Sequence, residues 1–199
     1  MADVEIRDLG RDELGDAVAL LGRGMRDNPI VVRVFGSVPA SRERALTRFF
    51  RSGLPGLFRQ GAVAGAFRDG QLVGVCGMGR PRSRPPGPIE KFAAVPVTVL
   101  SYPPPTAIRI LQWTGAWGRH DLVEPHWHLG PVAVDTVSQG RGIGSAMLEE
   151  FCGRMESERA IAYLETDKPE NVRFYTKFGF VVVAEAEVLG VPNWFMRRD

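Results

Sequence analysis

Apolar residues along this chain recur with two different periods, and the switches between them mark out its elements. Val4 and Ile6 alternate with charged neighbours, the period of a strand with one face buried. From Arg11 to Met25, the positions Leu14, Val18, Leu21 and Met25 fall three and four apart, an amphipathic helix opened by Asp12. Asn28-Pro29 ends that helix, because the residue before a proline is pushed out of the helical region. A second helix starts at Ser41, with Glu43 and Arg44 in its first turn and Leu46, Phe49 and Phe50 as its apolar stripe. Residues 62–67 and 71–78 read as two strands joined by Asp69-Gly70, a strong hairpin signal.

The pattern then breaks. Residues 80–105 hold eight of the chain's 15 prolines around one apolar patch, 92–100, and proline at this density excludes a regular element over most of the stretch. A long loop inside a compact domain is usually a lid or a linker, and since both flanks can join one sheet we read a loop covering a substrate. Periodicity resumes at 106–119, a helix with Ile110, Trp113 and Trp117 on one face. A strand at 127–134, a helix at 142–158, a strand at 161–165, a helix at 169–178 and strands at 180–188 and 193–197 complete the order. These elements predict an α/β (α+β) fold in a single domain, residues 1–199, with helices flanking a mixed, largely antiparallel twisted sheet that has one β-α-β unit in its middle.

Composition narrows the function classes. A net charge of +2 gives no electrostatic case for a nucleic-acid or membrane-surface partner. The two cysteines, Cys76 and Cys152, sit in apolar runs and form no motif, so we expect reduced core thiols and no metal site. The first residues lack the basic and apolar regions of a signal peptide, and no apolar stretch approaches the roughly 20 residues a membrane helix needs. The expectation is a cytoplasmic domain, with a homodimer compatible with it.

The chemistry concentrates between Val132 and Leu148, where a buried strand runs through a turn into a glycine-rich helix entry. Glycines at 140, 142 and 144 leave the first-turn amides unshielded, and a helix N-terminus offers free N–H donors with about half a positive charge. That combination suits phosphate or pyrophosphate. Gly144 is followed by Ser145-Ala146, so the Lys-Ser/Thr of a triphosphate loop is missing, and too few residues follow for a dinucleotide fold. Upstream, Gly130-Pro131 marks a bulge or a loss of strand pairing, because Pro131 cannot donate to a ladder and Gly130 weakens it.

Gln139-Gly-Arg-Gly-Ile-Gly144 resembles the Gln/Arg-x-x-Gly-x-Gly/Ala signature of the GNAT superfamily of N-acetyltransferases. Asn171-Val-Arg-Phe-Tyr175-Thr-Lys-Phe-Gly179-Phe180 is similar to its second block, with a spacing and an intervening Tyr163-Leu-Glu-Thr166 that resemble the puromycin-type branch. The likeness covers 127–199 well and the N-terminal half in element order only. It implies acetyl-CoA as cosubstrate, a coenzyme-binding core over 127–180, and a small-molecule amine as acceptor. Under it, amides of Gln139, Gly140, Arg141, Gly142, Ile143, Gly144 and Ser145 hold the pyrophosphate, and the backbone of Val132, Ala133 and Val134 pairs with the pantetheine arm. Many members carry Asn seven residues before the tyrosine, where this chain has Lys168; Asn171, four before it, is the coenzyme contact of the puromycin-type branch.

Acetyl transfer to an amine needs a base for the ammonium and an acid for the departing thiolate. Tyr175 resembles the family's general acid, and the resemblance implies that it also contacts the coenzyme. His128 is our base, eleven residues before Gln139, where histone-type members carry a glutamate. An imidazole titrates near neutrality, and strand alternation puts His126, His128 and Gly130 on one face. Glu124 and His126 are rivals, and water alone is a further route. Phe35, Trp113, Trp117 and Trp127 are candidates to wall the acceptor pocket. Competing readings are a protein or peptide N-acetyltransferase, which calls for an open groove, and a non-catalytic acyl-CoA-binding regulatory module.

Overall fold

The computed structural model of the chain describes residues 4–81 and 101–199. Seven strands, β1 (Glu5–Asp8), β2 (Gly61–Arg68), β3 (Gln71–Gly79), β4 (His126–Val134), β5 (Ile161–Thr166), β6 (Val181–Val188) and β7 (Val191–Arg198), form one sheet in the order β1-β2-β3-β4-β5-β7-β6. Every neighbouring pair is antiparallel except β4 and β5. Among the described residues there are six α-helices: α1 (Leu14–Gly24), α2 (Pro29–Phe35), α3 (Pro39–Gln60), α4 (Pro104–His120), α5 (Ile143–Ser157) and α6 (Pro169–Thr176). The β-α-β unit expected in the middle of the order is β4-α5-β5.

Strand alternation splits the core in two. On one face Val63, Val75 and Ala133 meet Leu20 and Leu21 of α1, Val34 of α2, Leu46 of α3 and Trp113 of α4. On the other, Cys76, Met78, Trp127, Leu164 and Met196 meet Met147 and Phe151 of α5 and Tyr175 of α6. We call these the upper and lower faces. Apolar area removed from water on both sides, at roughly 25 cal/mol per Å2, is what fixes the sheet between its two helical layers.

The prolines account for the main differences from expectation. Asn28 is extended (φ −64°, ψ 137°) and Pro29 begins α2, a helix that periodicity alone did not predict. Proline is harmless at the first helical position, where its missing N–H has no partner to lose, so the residue that stops α1 also starts the next helix. Pro39 likewise opens α3 two residues before Ser41, and Pro104 opens α4, so Pro104 and Pro105 belong to a helix and not to the loop. The greater part of the proline-rich stretch, 82–100, lies outside the described residues, and the covering-loop reading with it. The first helix is entered through a 3-10 turn, Arg11–Glu13, and Glu13, rather than Asp12, accepts from the Gly10 amide at 2.8 Å. Asp69-Gly70 makes the expected tight hairpin, both residues having positive φ (51° and 73°). No helix among the described residues is long and apolar enough to cross a membrane.

Candidate active site

The parallel pair is short, and its end is the centre of the site. β4 and β5 pair only at His126↔Ile161, Trp127↔Ala162 and His128↔Tyr163. Beyond His128, β4 continues against β3, while β5 continues against β7 from Leu164↔Met196 to Thr166↔Trp194. The two strands diverge, and a gap opens in the middle of the sheet.

The bulge predicted at Gly130-Pro131 sits at the mouth of that gap. Register passes from Met78↔Leu129 to Cys76↔Val132, so two β4 residues stand opposite Gly77 alone. Gly77 is required there: a Cβ would lie 2.5 Å from the Gly130 carbonyl oxygen. The Gly130-Pro131 peptide is cis. The extra residue also inverts the side-chain phase, with Trp127 and Leu129 in the lower core but Ala133 in the upper one.

Past the bulge, the Asp135 amide donates to Val73 at 2.8 Å, on the β3 side. Antiparallel alternation then turns the backbone of Ala133 to β3 and those of Val132 and Val134 to the gap. Of the three residues expected to pair with a pantetheine arm, two therefore present N–H and C=O groups to the opening. The Gln139 side chain donates through Nε2 to the Val134 carbonyl at 3.2 Å, so that carbonyl points away from β3 and Gln139 gains a positioning task.

The glycine turn closes the wide end. Gly140 (φ 73°) and Gly142 (φ 80°) adopt a left-handed backbone that side chains resist, and a Cβ on either would meet nothing within 4 Å. Gly142 caps α5, and the first amide to bond back into that helix is Ala146, to the Gly142 carbonyl at 3.0 Å. The amides of Ile143, Gly144 and Ser145 lie ahead of it, in the first turn that makes no intrahelical bond. The Ile143 side chain is core, 1 % exposed, so only its backbone belongs to the site. Arg141 is exposed in the turn. Gly144 faces α6, where a Cβ would make ordinary contact with the Phe174 ring at 3.5 Å. Asn171 donates to the Thr166 hydroxyl at 3.1 Å and so holds the end of β5 to the start of α6.

Tyr175 comes to the gap from the lower face. It is 8 % exposed, between Phe174 (ring centroids 5.4 Å) and Phe180 (6.0 Å). Burial pushes its phenol above the ordinary tyrosine range, with Cys76 and Asp167 adding to the effect. Asp167, itself raised chiefly by burial, accepts from the Ile30 amide at 2.7 Å and ties the end of β5 to the first turn of α2.

His128 stands on the upper face, at the vertex where pairing stops. Its Nε2 lies 2.7 Å from Oε2 of Glu165, with the imidazole 44 % exposed and the carboxylate side chain 6 %. Glu165 was not singled out from the sequence. The signal was present in the alternation of Tyr163 and Glu165 with the lower-core residues Ala162 and Leu164. His126, two residues back, is more enclosed. Its Nδ1 donates to the Glu124 carbonyl at 2.8 Å and its Nε2 lies 3.1 Å from Asp121. Burial opposes the charged imidazole, but the Asp121 and Glu124 bonds outweigh it and raise the His126 pKa. Glu124 is paired with Arg197. Both rivals for the base are thus occupied in holding the start of β4.

Three of the four candidate pocket aromatics come together on the upper face. Phe35 meets Phe49 (6.3 Å), Phe49 stacks on Trp113 (5.4 Å), and Trp113 meets Trp117 edge-on (5.1 Å). Trp117 donates to Asn193 at 2.9 Å. Trp127 does not belong with them. It is 2 % exposed in the lower core, against Phe151, and donates to Glu158 at 3.0 Å. Alternation with His126 and His128 sends it to the other side of the sheet, so it walls no pocket on the upper face.

Residues 37–180 match the model of the acetyltransferase (GNAT) family. The chain belongs to that family. Its fold is shared by several solved acetyltransferases. A histone acetyltransferase HPA2 and related acetyltransferase from Corynebacterium glutamicum aligns over 100 % of this chain and 96 % of its own, at 20 % identity and a TM-score of 0.74. A mosquito arylalkylamine N-acetyltransferase-like protein aligns over 98 % and 99 %, at 17 % identity and 0.68. A Drosophila melanogaster polyamine N-acetyltransferase, which forms N-acetylagmatine, aligns over 98 % of each chain, at 14 % identity and 0.64. The sheet that opens beside a glycine-capped helix is therefore the framework of a GNAT acetyltransferase.

Proposed function

We propose that this acetyltransferase transfers the acetyl group of acetyl-CoA directly to the amine of a small molecule, with both substrates bound together. The observation that carries the reading is the gap between β4 and β5, which has His128 above it, Tyr175 below it and a turn of exposed amides at its end. The open edge of β4 suits the amide-bearing pantetheine arm. Gly140 and Gly142 leave the cradle unshielded at the N-terminus of α5, where a pyrophosphate is stabilised by free N–H donors.

Acetyl-CoA supplies an activated thioester carbonyl, and the chain's own residues manage the protons. His128 takes the proton of the incoming ammonium, which frees a lone pair for attack on the carbonyl carbon. As the carbon–sulfur bond breaks, the Tyr175 hydroxyl gives its proton to the leaving sulfur and recovers one from the product nitrogen through solvent. A phenol held above its usual range is protonated at every working pH, as an acid should be. Phe35, Trp113 and Trp117 are our candidates to line the acceptor side, a reading supported by their clustering with Phe49 on the upper face. The small-amine acceptor is supported by relatives in fold that are named for polyamines and arylalkylamines. Placement in the puromycin-type branch, with Asn171 as a coenzyme contact, rests on the order Asn171 to Tyr175 in the sequence.

A thiol-release assay with acetyl-CoA across aliphatic polyamines, arylalkylamines, aminonucleosides and N-terminal peptides tests the reading. Release with at least one small amine and little with any peptide is expected. Release with peptides alone overturns it.

A further inference from the structure

We propose that Glu165 is a positioning residue for the reaction: its carboxylate bridges the gap from β5 to β4, fixes the tautomer of His128 and stabilises the imidazolium that forms when His128 takes the acceptor's proton. The inference rests on His128 being the base, as assigned above, and adds the residue that makes it one.

The placement follows from the parallel register. His128 pairs with Tyr163 at the last rung before the strands part. Glu165 is two residues further along β5, on the same face, so its side chain reaches back over the widening gap to the imidazole at 2.7 Å. Its own backbone is held from the opposite edge by the pairing Glu165↔Phe195 with β7. The carboxylate thus projects from a strand in the centre of the sheet, and its partner projects from the strand on the far side of the opening.

Exposure divides the labour. A carboxylate side chain only 6 % exposed is costly unless it is hydrogen-bonded, and His128 is the donor the described residues give it. The imidazole, 44 % exposed, is the member that an acceptor can approach. A neutral histidine carries its proton on one nitrogen only. With Glu165 at Nε2, that proton lies on Nε2 and the accepting lone pair lies on Nδ1. Proton transfer then puts a positive charge beside a fixed negative one, the arrangement in which a carboxylate orients a catalytic imidazole and stabilises its charged form. Other described groups around His128 are Tyr163 of β5, whose ring centroid lies 6.0 Å away, and the charged pair His126 and Asp121, while Arg80, next to the Gly79 that pairs with His128 on β3, lies with its guanidinium over Trp127 of the lower face. His126 and Asp121 form an ion pair of their own, and among the described residues Glu165 is the carboxylate in direct contact with His128.

The test reads His128 without turnover as well as with it. The chain has three histidines, so the imidazole signals in a 15N-labelled sample can be assigned with His128→Ala and His126→Ala. In the wild type, neutral His128 should be the Nε2–H form; an Nδ1–H tautomer overturns the proposal without any Glu165 variant. In Glu165→Gln, which keeps the shape and removes the charge, the His128 titration midpoint should fall by about one pH unit or more, as loss of an adjacent opposite charge requires. The acidic limb of kcat/KM should move with it, while the acetyl-CoA-induced rise in melting temperature stays at the wild-type size. The same change made in His128→Ala should have no further effect on rate. An unmoved midpoint, or an equal loss of rate in the His128→Ala background, overturns the assignment of Glu165 alone. A wild-type rate in His128→Ala instead overturns the base on which it rests, and the midpoint measurement tells the two apart.

Discussion

Tyr175 and His128 approach the opening from opposite faces of the sheet, and that makes their roles separable by substitution. Tyr175→Phe deletes one hydroxyl from a buried aromatic and leaves its contacts with Phe174 and Phe180. Turnover should fall roughly 10²–10⁴-fold, the usual worth of a general acid, while the dissociation constant for acetyl-CoA stays within error. Single-turnover rates with chemistry limiting measure this, and an unchanged rate returns Tyr175 to the core. The two β4 histidines offer a second contrast. His128→Ala should depress turnover and erase the acidic limb of the pH–rate profile, whereas His126→Ala should keep both. The loss from His126 should appear in stability instead, with a sign fixed by the two shifts. Its raised pKa makes the bond to Asp121 fully effective below the ordinary imidazole range and weakens it as pH rises through the raised value. Asp121 is shifted the other way, against the opposing pull of burial, and loses its contribution as pH falls through its lowered value. Between those limits the pair should add its full increment to the melting temperature of the wild type, and His126→Ala should flatten that dependence. A histidine variant that moved the acidic limb from position 126 would reverse the assignment.

At the scale of elements, the glycine turn is the most exposed to test. Gly142 needs its positive φ and no space, because a Cβ there would touch nothing. Gly142→Val should therefore cost about 1–2 kcal/mol in backbone strain and reshape the amide cradle without disturbing either core. Acetyl-CoA at about 100 times its dissociation constant should raise the wild-type melting temperature by roughly 5–10 °C, and the variant should show no rise. A full rise in Gly142→Val would remove the cradle from the coenzyme site. How much was legible follows from how local each signal is. The turn, the Asp69-Gly70 hairpin and the Gly130-Pro131 bulge all lie in neighbouring residues, and each was readable. Helix α2 was missed because Pro29 reads as a stop in one direction and a start in the other, and only packing of Ile30, Val31 and Val34 decides which. Trp127 was misplaced although alternation with two histidines already set it on their opposite side. Glu165 could not be matched to His128 from sequence, because their contact depends on the register of two strands joined by a whole helix.

Across the whole molecule, the decisive question is whether the acetyl group ever rests on the protein. Direct transfer needs both substrates in the gap at once; a relay needs a nucleophile there. The two thiols are poor candidates. Cys76 lies fully buried in the lower core, and burial pushes its pKa up to about 12, so the thiolate that would attack is scarcely populated at neutral pH. Cys152 is in α5, with its pKa also raised by burial. The proposed direct transfer uses the parted sheet instead, with the coenzyme's extended arm along β4 on one side and the acceptor over His128 on the other. Initial-velocity patterns should therefore intersect when acetyl-CoA and amine are varied together, and a Cys76→Ala, Cys152→Ala double variant should keep the wild-type kcat. Incubation with acetyl-CoA alone should leave the intact mass unchanged. Parallel velocity lines, or an added acetyl group that disappears on adding amine, would replace the ternary complex with a covalent relay.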